Sequence, residues 1–468
     1  MMSHRDLLLV CWGMWFSCFG TSHMRGDDTL NAKVPDRKWT TLERMSPDHL
    51  AQAHADTIQI QAQRRMLPEL SGRHDLRAIL HAHAEDSTHT GGTRAEMLAD
   101  ARRAEVSVIL LTNHYRPPAD FIADNWRGTY DGVLFVPGAE ARGFLVYPSR
   151  SILGQMDQPL PEFLQTVRSD RGLAFLSHIE ERPDHPTDNL DGMEIYNRHA
   201  DAKEDVAGVL GLLLKMTDAT ALRELQDGLA HFPDEMLASQ NTYPAAYLAK
   251  WDRETATRRL TGVAANDCHH NQVLLVKVVD DETVAIGTNV DSTDQFRRFS
   301  AALRPGIREL TRGRKPGEVI ARLDFDPYYR SFRNASTHIL ASHADESGVR
   351  LALRDGHAYV SHDWMCDPTG FRLVLCDADA TPTQPTCILG DERVWNRNQR
   401  LVAEFPAPCH IRLIRNGEAV LATSSDRLEY PLGGPGVYRV EGWLQLDGEL
   451  RPWIYSNPLY LAAPPSSN

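Results

Sequence analysis

Short, unbroken apolar runs alternate with stretches of helical periodicity through the first half of the chain. The runs at 76–83, 106–112, 132–137, 172–177, 192–196 and 261–265 do not alternate with polar residues, the pattern of strands buried on both faces. Helices fit between them. Thr93-Arg94-Ala95-Glu96 is a capping box that opens a helix through Arg103, the Thr hydroxyl and the Glu carboxylate each satisfying an otherwise orphaned amide. A second helix at 161–169 precedes the fourth strand, and 205–259 holds several more after the fifth. Strand, helix, strand repetition predicts parallel strands joined by crossover helices. With a count near seven over a span of barrel size, a (β/α) barrel is favoured over an open sheet.

The pattern changes on either side of this region. Residues 21–75 are polar, with one helix at 47–66, and read as a lead-in packed on the outside of the strand-and-helix region. Near Arg393 the runs shorten to 400–405, 410–414, 419–423, 436–443 and 455–461, separated by Asn416-Gly417, Gly433-Gly434-Pro435-Gly436 and Asp447-Gly448, which are turn sequences. Within 437–443 one face carries Tyr438, Val440 and Gly442 and the other Val437, Arg439, Glu441 and Trp443, as in an outer strand of a small β-sandwich. About 75 residues suffice for an immunoglobulin-like module.

Composition narrows the class. At 468 residues the chain has room for two domains or a barrel with an appendage. Its 42% hydrophobic and 24% charged residues exclude disordered, collagen-like and coiled-coil chains. A net charge of -13 argues against holding extended nucleic acid through a surface field, and a polyanionic partner requires a bound metal to reverse the local sign. The seven cysteines form no Cys-x-x-Cys pair, which excludes zinc ribbons and thioredoxin chemistry. Arg5 precedes an apolar run at 7–19 of signal-sequence length, too short to span a bilayer comfortably. The expectation is export to a periplasmic or secreted location, with 1–20 as the targeting segment and no transmembrane span in the mature chain. Cytoplasmic residence is the alternative, because no clean cleavage site is present after the run. Cys366, Cys376, Cys387 and Cys409 are able to pair in an oxidising compartment.

Ligand-type residues gather where the strands end: His81-Ala82-His83, Asn113-His114, Gly138-Ala139-Glu140, His178 and Asp267-Cys268-His269. Carboxyl ends of barrel strands share one face, where active sites form. Residues two apart in a strand point the same way, so both imidazoles of His81-x-His83 can face one metal, and Asp267-x-His269 repeats this with a carboxylate. Single pieces of this kind are often structural. The set in register is not, although Asp86, His89, Glu194 and His270 taken singly divide evenly between function and structure.

These residues carry a family resemblance. The segments 76–83, 92–98, 109–114, 137–140, 173–178 and 266–269 resemble, in order, the motifs of the polymerase and histidinol phosphatase (PHP) superfamily, over roughly residues 76 to 275. The resemblance implies an α/β fold with a distorted seven-stranded (β/α) barrel, and hydrolysis of phosphoesters with two or three Mn, Fe or Zn ions. It implies that His81, His83, Glu140 and Asp267 bind a first metal, that Glu140 bridges to a second held also by His178, and that His114 and His269 serve a third with an acid near Asp86. Asp267, Glu140 and His178 are thereby the expected catalytic residues. Two departures stand out. The family usually has Thr-Asp-His where this chain has Thr112-Asn113-His114, and after His-x-His it often has an Asp, where here Asp86 and His89 compete. A metal-activated water then attacks in line, and no side-chain nucleophile is required. Arg142 and Arg198 are candidate phosphate clamps, since guanidinium forks match phosphate oxygens.

A Gly-x-x-Tyr-Val segment at Gly356, Tyr359 and Val360, which closes many proteins of the family, extends the enzyme domain over 76–390, with a helical insert at about 200–259 and a β-sandwich at 391–468. Asp363 and Trp364 either line the cleft or pack. The expected partner is a small or medium phosphate ester, with the sandwich contacting the barrel, another protein or a glycan. Two other readings compete: a metal amidohydrolase, disfavoured because no strand-end Lys is present to carry a bridging carbamate, and a relic barrel beside a binding module, disfavoured because every core ligand position is filled. Export predicts a mature chain starting after about residue 20. N-terminal sequencing that finds intact Met1 on soluble cytoplasmic protein overturns it.

Overall fold

The computed structural model describes residues 33–465, so the apolar run read as an export segment lies outside the described residues. Among those described, no helix is long and apolar enough to cross a membrane. The fold is mixed α/β, with a large sheet and a separate four-stranded one.

The apolar runs fall in six of the nine strands β1 (His74–Ala82), β2 (Val108–Leu111), β3 (Gly128–Tyr130), β4 (Val133–Val136), β5 (Ala139–Ala141), β6 (Phe144–Tyr147), β7 (Leu173–Leu176), β8 (Gly192–Asn197) and β9 (Thr261–Cys268), namely β1, β2, β4, β7, β8 and β9. β1 runs parallel to β2 and β9, β2 to β4, and β8 to β7 and β9. Every residue of β2, β4, β6 and β7 is buried, which is why these segments lack alternation. The capping box forms as read: Glu96 N donates to Thr93 Oγ1 at 3.2 Å and Thr93 N to Glu96 Oε2 at 3.3 Å, and the helix runs Arg94–Arg103. Three strands, β3, β5 and β6, were not anticipated. β6 returns antiparallel to β5 through the two-residue turn Arg142-Gly143, with φ of 58° and 89°, the positive pair that a tight hairpin demands.

A second departure lies after β9. β10 (Val273–Asp280), β11 (Thr283–Thr288), β12 (Arg297–Ser300) and β13 (Val319–Asp324) make an antiparallel sheet in the order β12-β11-β10-β13. The sheet exists because the helices between 206 and 238 cover one face of it: Leu212, Leu222 and Met236 share a buried cluster with Val276, Ile286 and Leu323. The insert read as purely helical is thus half of a helix-on-sheet layer.

The chain then rejoins the large sheet. β14 (Ser336–Ala341) lies antiparallel to β1, and β15 (Ala358–Ser361) lies on β14. β16 (Arg372–Cys376), β17 (Cys387–Ile388), β18 (Glu392–Val394), β19 (Arg400–Arg415), β20 (Glu418–Pro431), β21 (Gly436–Leu446), β22 (Glu449–Ser456) and β23 (Leu459–Ala462) complete it. β15 pairs with β22 and β16 with β19, so hydrogen bonding is continuous from the strands of the first half into the C-terminal ones. Asn416-Gly417 and Asp447-Gly448 close hairpins with φ of 54° and 82°, and 53° and 68°, as their sequences predict. The outer-strand reading of 437–443 is corrected. Both faces of β21 are buried from Tyr438 to Leu444, because Arg439 forms a two-pronged ion pair with Asp252 of the helix Ala245–Thr255 (2.7 Å on each arm) and a third contact with Glu441. The late cysteines are also corrected: Cys366, Cys376, Cys387 and Cys409 are buried free thiols, as is Cys268.

Asp363 packs. Its carboxylate lies 2.6 Å from Arg77 Nε of β1, 3.4 Å from His338 Nε2 of β14, and accepts from Ser336 and Ser361. His338 in turn reaches Asp75 at 2.7 Å. This network ties β1, β14 and the segment after β15 beneath the strand ends. Asp363→Ala should cost about 3–5 kcal/mol by denaturant unfolding, because it strands buried cations. Burial alone would lower the His338 imidazole, but Asp75 and Asp363 raise it from 6.5 to about 9. A raised native value means that its contribution is fully present below pH 6.5 and is lost as pH rises through about 9. The stability difference between the protein and His338→Gln should shrink over that window, and a constant difference would refute the linkage.

Candidate metal centre

Strand ends carry the site, and their backbone is not regular there. The register of β1 against both β2 and β9 shifts between Leu80 and Ala82, leaving His81 as a bulged residue with φ 61°. His178 and Asp267 also adopt left-handed backbone, with φ of 49° and 47°. Non-glycine residues seldom do so, and such strain concentrates at functional sites. The bulge therefore sets the direction of His81, where a regular strand of period two was expected.

The side chains converge on two carboxylates. Asp267 Oδ1 lies 3.3 Å from His81 Nε2 and 3.5 Å from His83 Nε2. Glu140 Oε2 lies 3.4 Å from His114 Nε2 and 3.6 Å from His81 Nε2, and Glu140 Oε1 lies 3.2 Å from His178 Nε2. A backbone bridge between His114 and Glu140 fixes the approach of β2 to β5. The Nε2 atoms of His81 and His83 are buried and accept or donate no hydrogen bond. Metal–ligand bonds of about 2.0–2.2 Å at tetrahedral angles place donor atoms roughly 3.3–3.6 Å apart, so these separations match edges of a coordination shell. Ligand atoms within 4.8 Å of one another group as His81, His83 and Glu140; His81, His178 and Asp267; and His83, His114 and His269. The residues present fit divalent ions.

Behind this layer stand carboxylates that orient the rings. Glu194 accepts from His81 Nδ1 at 2.7 Å, from the His178 backbone at 2.8 Å and from Asn197 Nδ2 at 2.9 Å. Asp86 meets His83 Nδ1 at 3.0 Å and His114 Nδ1 at 2.6 Å, and takes the His114 amide at 2.8 Å. Asp86 thus stands on the far side of two imidazoles, whereas His89 sets its ring against His114 and His269, with centroids 4.7 and 5.1 Å apart. Asn113 has its own reason: its amide accepts from Ala84 N and donates to Ala84 O, both at 3.1 Å, a two-way pairing that an ionised Asp cannot make.

Charge is set by crowding. Burial would depress His81, but Asp267, Glu140 and Glu194 raise it to about 10, and His178 is likewise raised by Glu140 and Glu180 against its burial. His83 and His269 are lowered, by burial and by neighbouring imidazoles. Burial would raise Glu140 and Asp86, but their histidines hold both below the usual carboxylate range.

The two arginines part company. Arg142 occupies the β5–β6 turn and donates to the Gln158 carbonyl at 2.6 Å. Arg198 is buried and lines the cavity that Asp267 and His269 also line, with Nη1 donating to Gln272 Oε1 at 3.1 Å. His270 bridges Glu96 and Asp324 at 3.0 and 3.2 Å. Sequence reasoning missed Glu180 and His199. Glu180 joins His178 Nδ1 at 3.1 Å to His199 Nδ1 at 3.2 Å and accepts from Tyr247, and His178, Glu180 and His199 form a further donor group. The pattern His178-Ile179-Glu180 was the available clue.

No family model matches the sequence, and no curated protein does. Among solved structures, the chain is similar to a two-domain protein from Bacteroides vulgatus ATCC 8482, described as containing a predicted PHP-like metal-dependent phosphoesterase. The identity is 12% and the TM-score 0.33, over 85% of this chain and 98% of that one. Glu194→Gln should weaken metal binding about 10- to 100-fold, read by chelator competition. An unchanged affinity in folded variant would show that Glu194 does not orient the ligands.

Proposed function

We propose that the protein is a metal-dependent phosphoesterase of PHP type that hydrolyses a small or medium phosphate ester. The observation that carries this reading is the convergence of buried His81 Nε2 and His83 Nε2 on Asp267 Oδ1 at 3.3 and 3.5 Å, backed by Glu140 and an outer layer of carboxylates. The finer fold belongs to the proposal: a distorted seven-stranded barrel with a C-terminal β-sandwich. It is supported by the six parallel strands β4–β2–β1–β9–β8–β7, continued antiparallel by β6 and β5, and by the His114–Glu140 bridge, which sets the residues just after β2 against β5.

His81, His83, Glu140 and Asp267 would hold one ion, Glu140 and His178 a second, and His114 and His269 a third. Imidazoles mixed with carboxylates suit Mn, Fe or Zn. Bound there, the ions supply a water of near-neutral pKa and draw charge from the phosphoryl oxygens. The chain's own residues do the rest. Asp86 and Glu194 take the Nδ1 protons of His114, His83 and His81, which leaves their Nε2 lone pairs turned inward. Arg198 presents a buried guanidinium whose Nε has no hydrogen-bond partner, and among the described residues no carboxylate lies within ion-pair distance of it. The buried carboxylates of Asp326 and Asp201 feel its charge without pairing with it, and buried cations are ordinarily paired, so an anionic substrate group is a fitting direct partner.

Elemental analysis of purified protein should find about two to three transition metals per chain, as the donor groups imply. Asp267→Ala and Glu140→Ala should abolish Mn-dependent hydrolysis of an aryl phosphate, since the lost anionic charge is not replaced by imidazoles. Arg198→Ala should chiefly raise KM. Near-normal turnover by folded carboxylate variants, or a metal-free protein, sinks the assignment.

A further inference from the structure

Beside the metal centre lies a cavity of about 200 Å³, bordered at the catalytic side by Asp267, His269 and Arg198. Its apolar wall comes from elements that hold no proposed ligand. Met45 arrives from the lead-in, Leu212 from the helix Val206–Lys215, Met236 and Leu237 from the helix Pro233–Ala238, Leu274 from β10 and Phe325 from just beyond β13. The amide nitrogens of Asn266 and Asn271 and the amide oxygen of Gln272 are engaged elsewhere, whereas Lys203, Gln240 and Thr288 also line the cavity and Asn266 Oδ1 is buried without a hydrogen-bond partner. Asn266 Nδ2 donates to the Ser331 and Ala335 carbonyls, Asn271 Nδ2 to the His89 carbonyl, and Gln272 Oε1 holds Arg198.

An apolar chamber joined to a buried guanidinium and a cluster of metal-binding side chains selects a ligand with an anionic head and an apolar body. Most hydroxyls of a sugar or polyol would lose water against the apolar wall, with only Asn266 Oδ1, Gln240, Thr288 and Lys203 as partners, whereas each methylene gains by leaving water. Resting on the phosphoesterase reading, we propose that the substrate is the phosphate ester of a compact apolar alcohol. A dry cavity of roughly 150 Å³ takes benzene, so this one admits an aryl group or an alkyl chain of about six to eight carbons. In the reaction the oxygen of water bonds to phosphorus, the ester P–O bond breaks, and the departing alkoxide takes a proton from that water, giving the alcohol and inorganic phosphate.

The test uses full-length protein supplied with Mn. Hydrolysis is followed for methyl, butyl, hexyl and glycerol phosphate, whose alcohols differ little in acidity beside their difference in polarity. Calorimetry tracks binding of methyl-, butyl- and hexylphosphonate, which are not hydrolysed. Each added methylene should raise kcat/KM and phosphonate affinity about four-fold, and hexyl should exceed methyl by at least about a hundred-fold. Val209→Trp, at another position lining the cavity, should cut that hexyl-to-methyl ratio at least about ten-fold, with Ala202→Phe as a second variant of the same kind. Hydrolysis without this grading, or glycerol phosphate turned over as well as hexyl phosphate, overturns the apolar-alcohol assignment alone. Graded phosphonate binding with no ester hydrolysed overturns the phosphoesterase reading, and with it the assignment of such esters as substrates.

Discussion

Asp267 places one carboxylate oxygen between the imidazoles of His81 and His83, and the surrounding architecture answers to the charge gathered there. Glu140, Asp86, Glu180 and Glu194 stand within one or two contacts of it. Such a density of buried acid is stable only when imidazolium or metal offsets it. Hence the raised His81 and His178, the depressed Glu140 and Asp86, and the left-handed backbone at His81, His178 and Asp267 that turns these groups toward one another.

Rigid support comes from beneath and behind. Arg77, Asp363, His338 and Asp75 lock β1 to β14, so the bulge at His81 rises from a strand that cannot slide. The C-terminal strands are fastened in the same manner. Arg439 with Asp252, and Arg44 with Glu449 at 2.7 Å, connect β21 and the β22 start to the helical insert and the lead-in. Each is a buried pair with a two-pronged guanidinium contact, the geometry that best offsets the desolvation of both charges. Through the Arg44–Glu449 pair the lead-in is held where the adjacent Met45 reaches the cavity wall.

The consequence is a division of labour. The strands of the large sheet carry the groups able to bind metal and the orienting acids, while the four-stranded sheet and its helices supply an apolar wall. Arg198 stands where these parts meet, at the start of the helix Arg198–Glu204 that succeeds β8. A polar strand end and an apolar insert thus become a single recess.

Much of this was legible in the sequence, because it is written in near neighbours. Buried strands show as unbroken apolar runs, the capping box lies within four residues, and Asn-Gly and Asp-Gly state their own turn geometry. The candidate ligands His81, His83, His114, Glu140, His178, Asp267 and His269 were visible because strand ends are locally marked. Only the tertiary structure could decide the features that depend on distant contacts. His81 meets Glu194 across 113 positions, and Arg77 meets Asp367 across 290. Asp86 became an orienting group because two rings from different strands share it. β10 to β13 emerged as a sheet because helices from 206 to 238 cover its apolar face, and β21 proved buried on both sides because Asp252 awaits Arg439. Periodicity records which residues prefer the interior; it does not record which interior surface they will meet, since that is set by register and by packing between segments far apart in the chain.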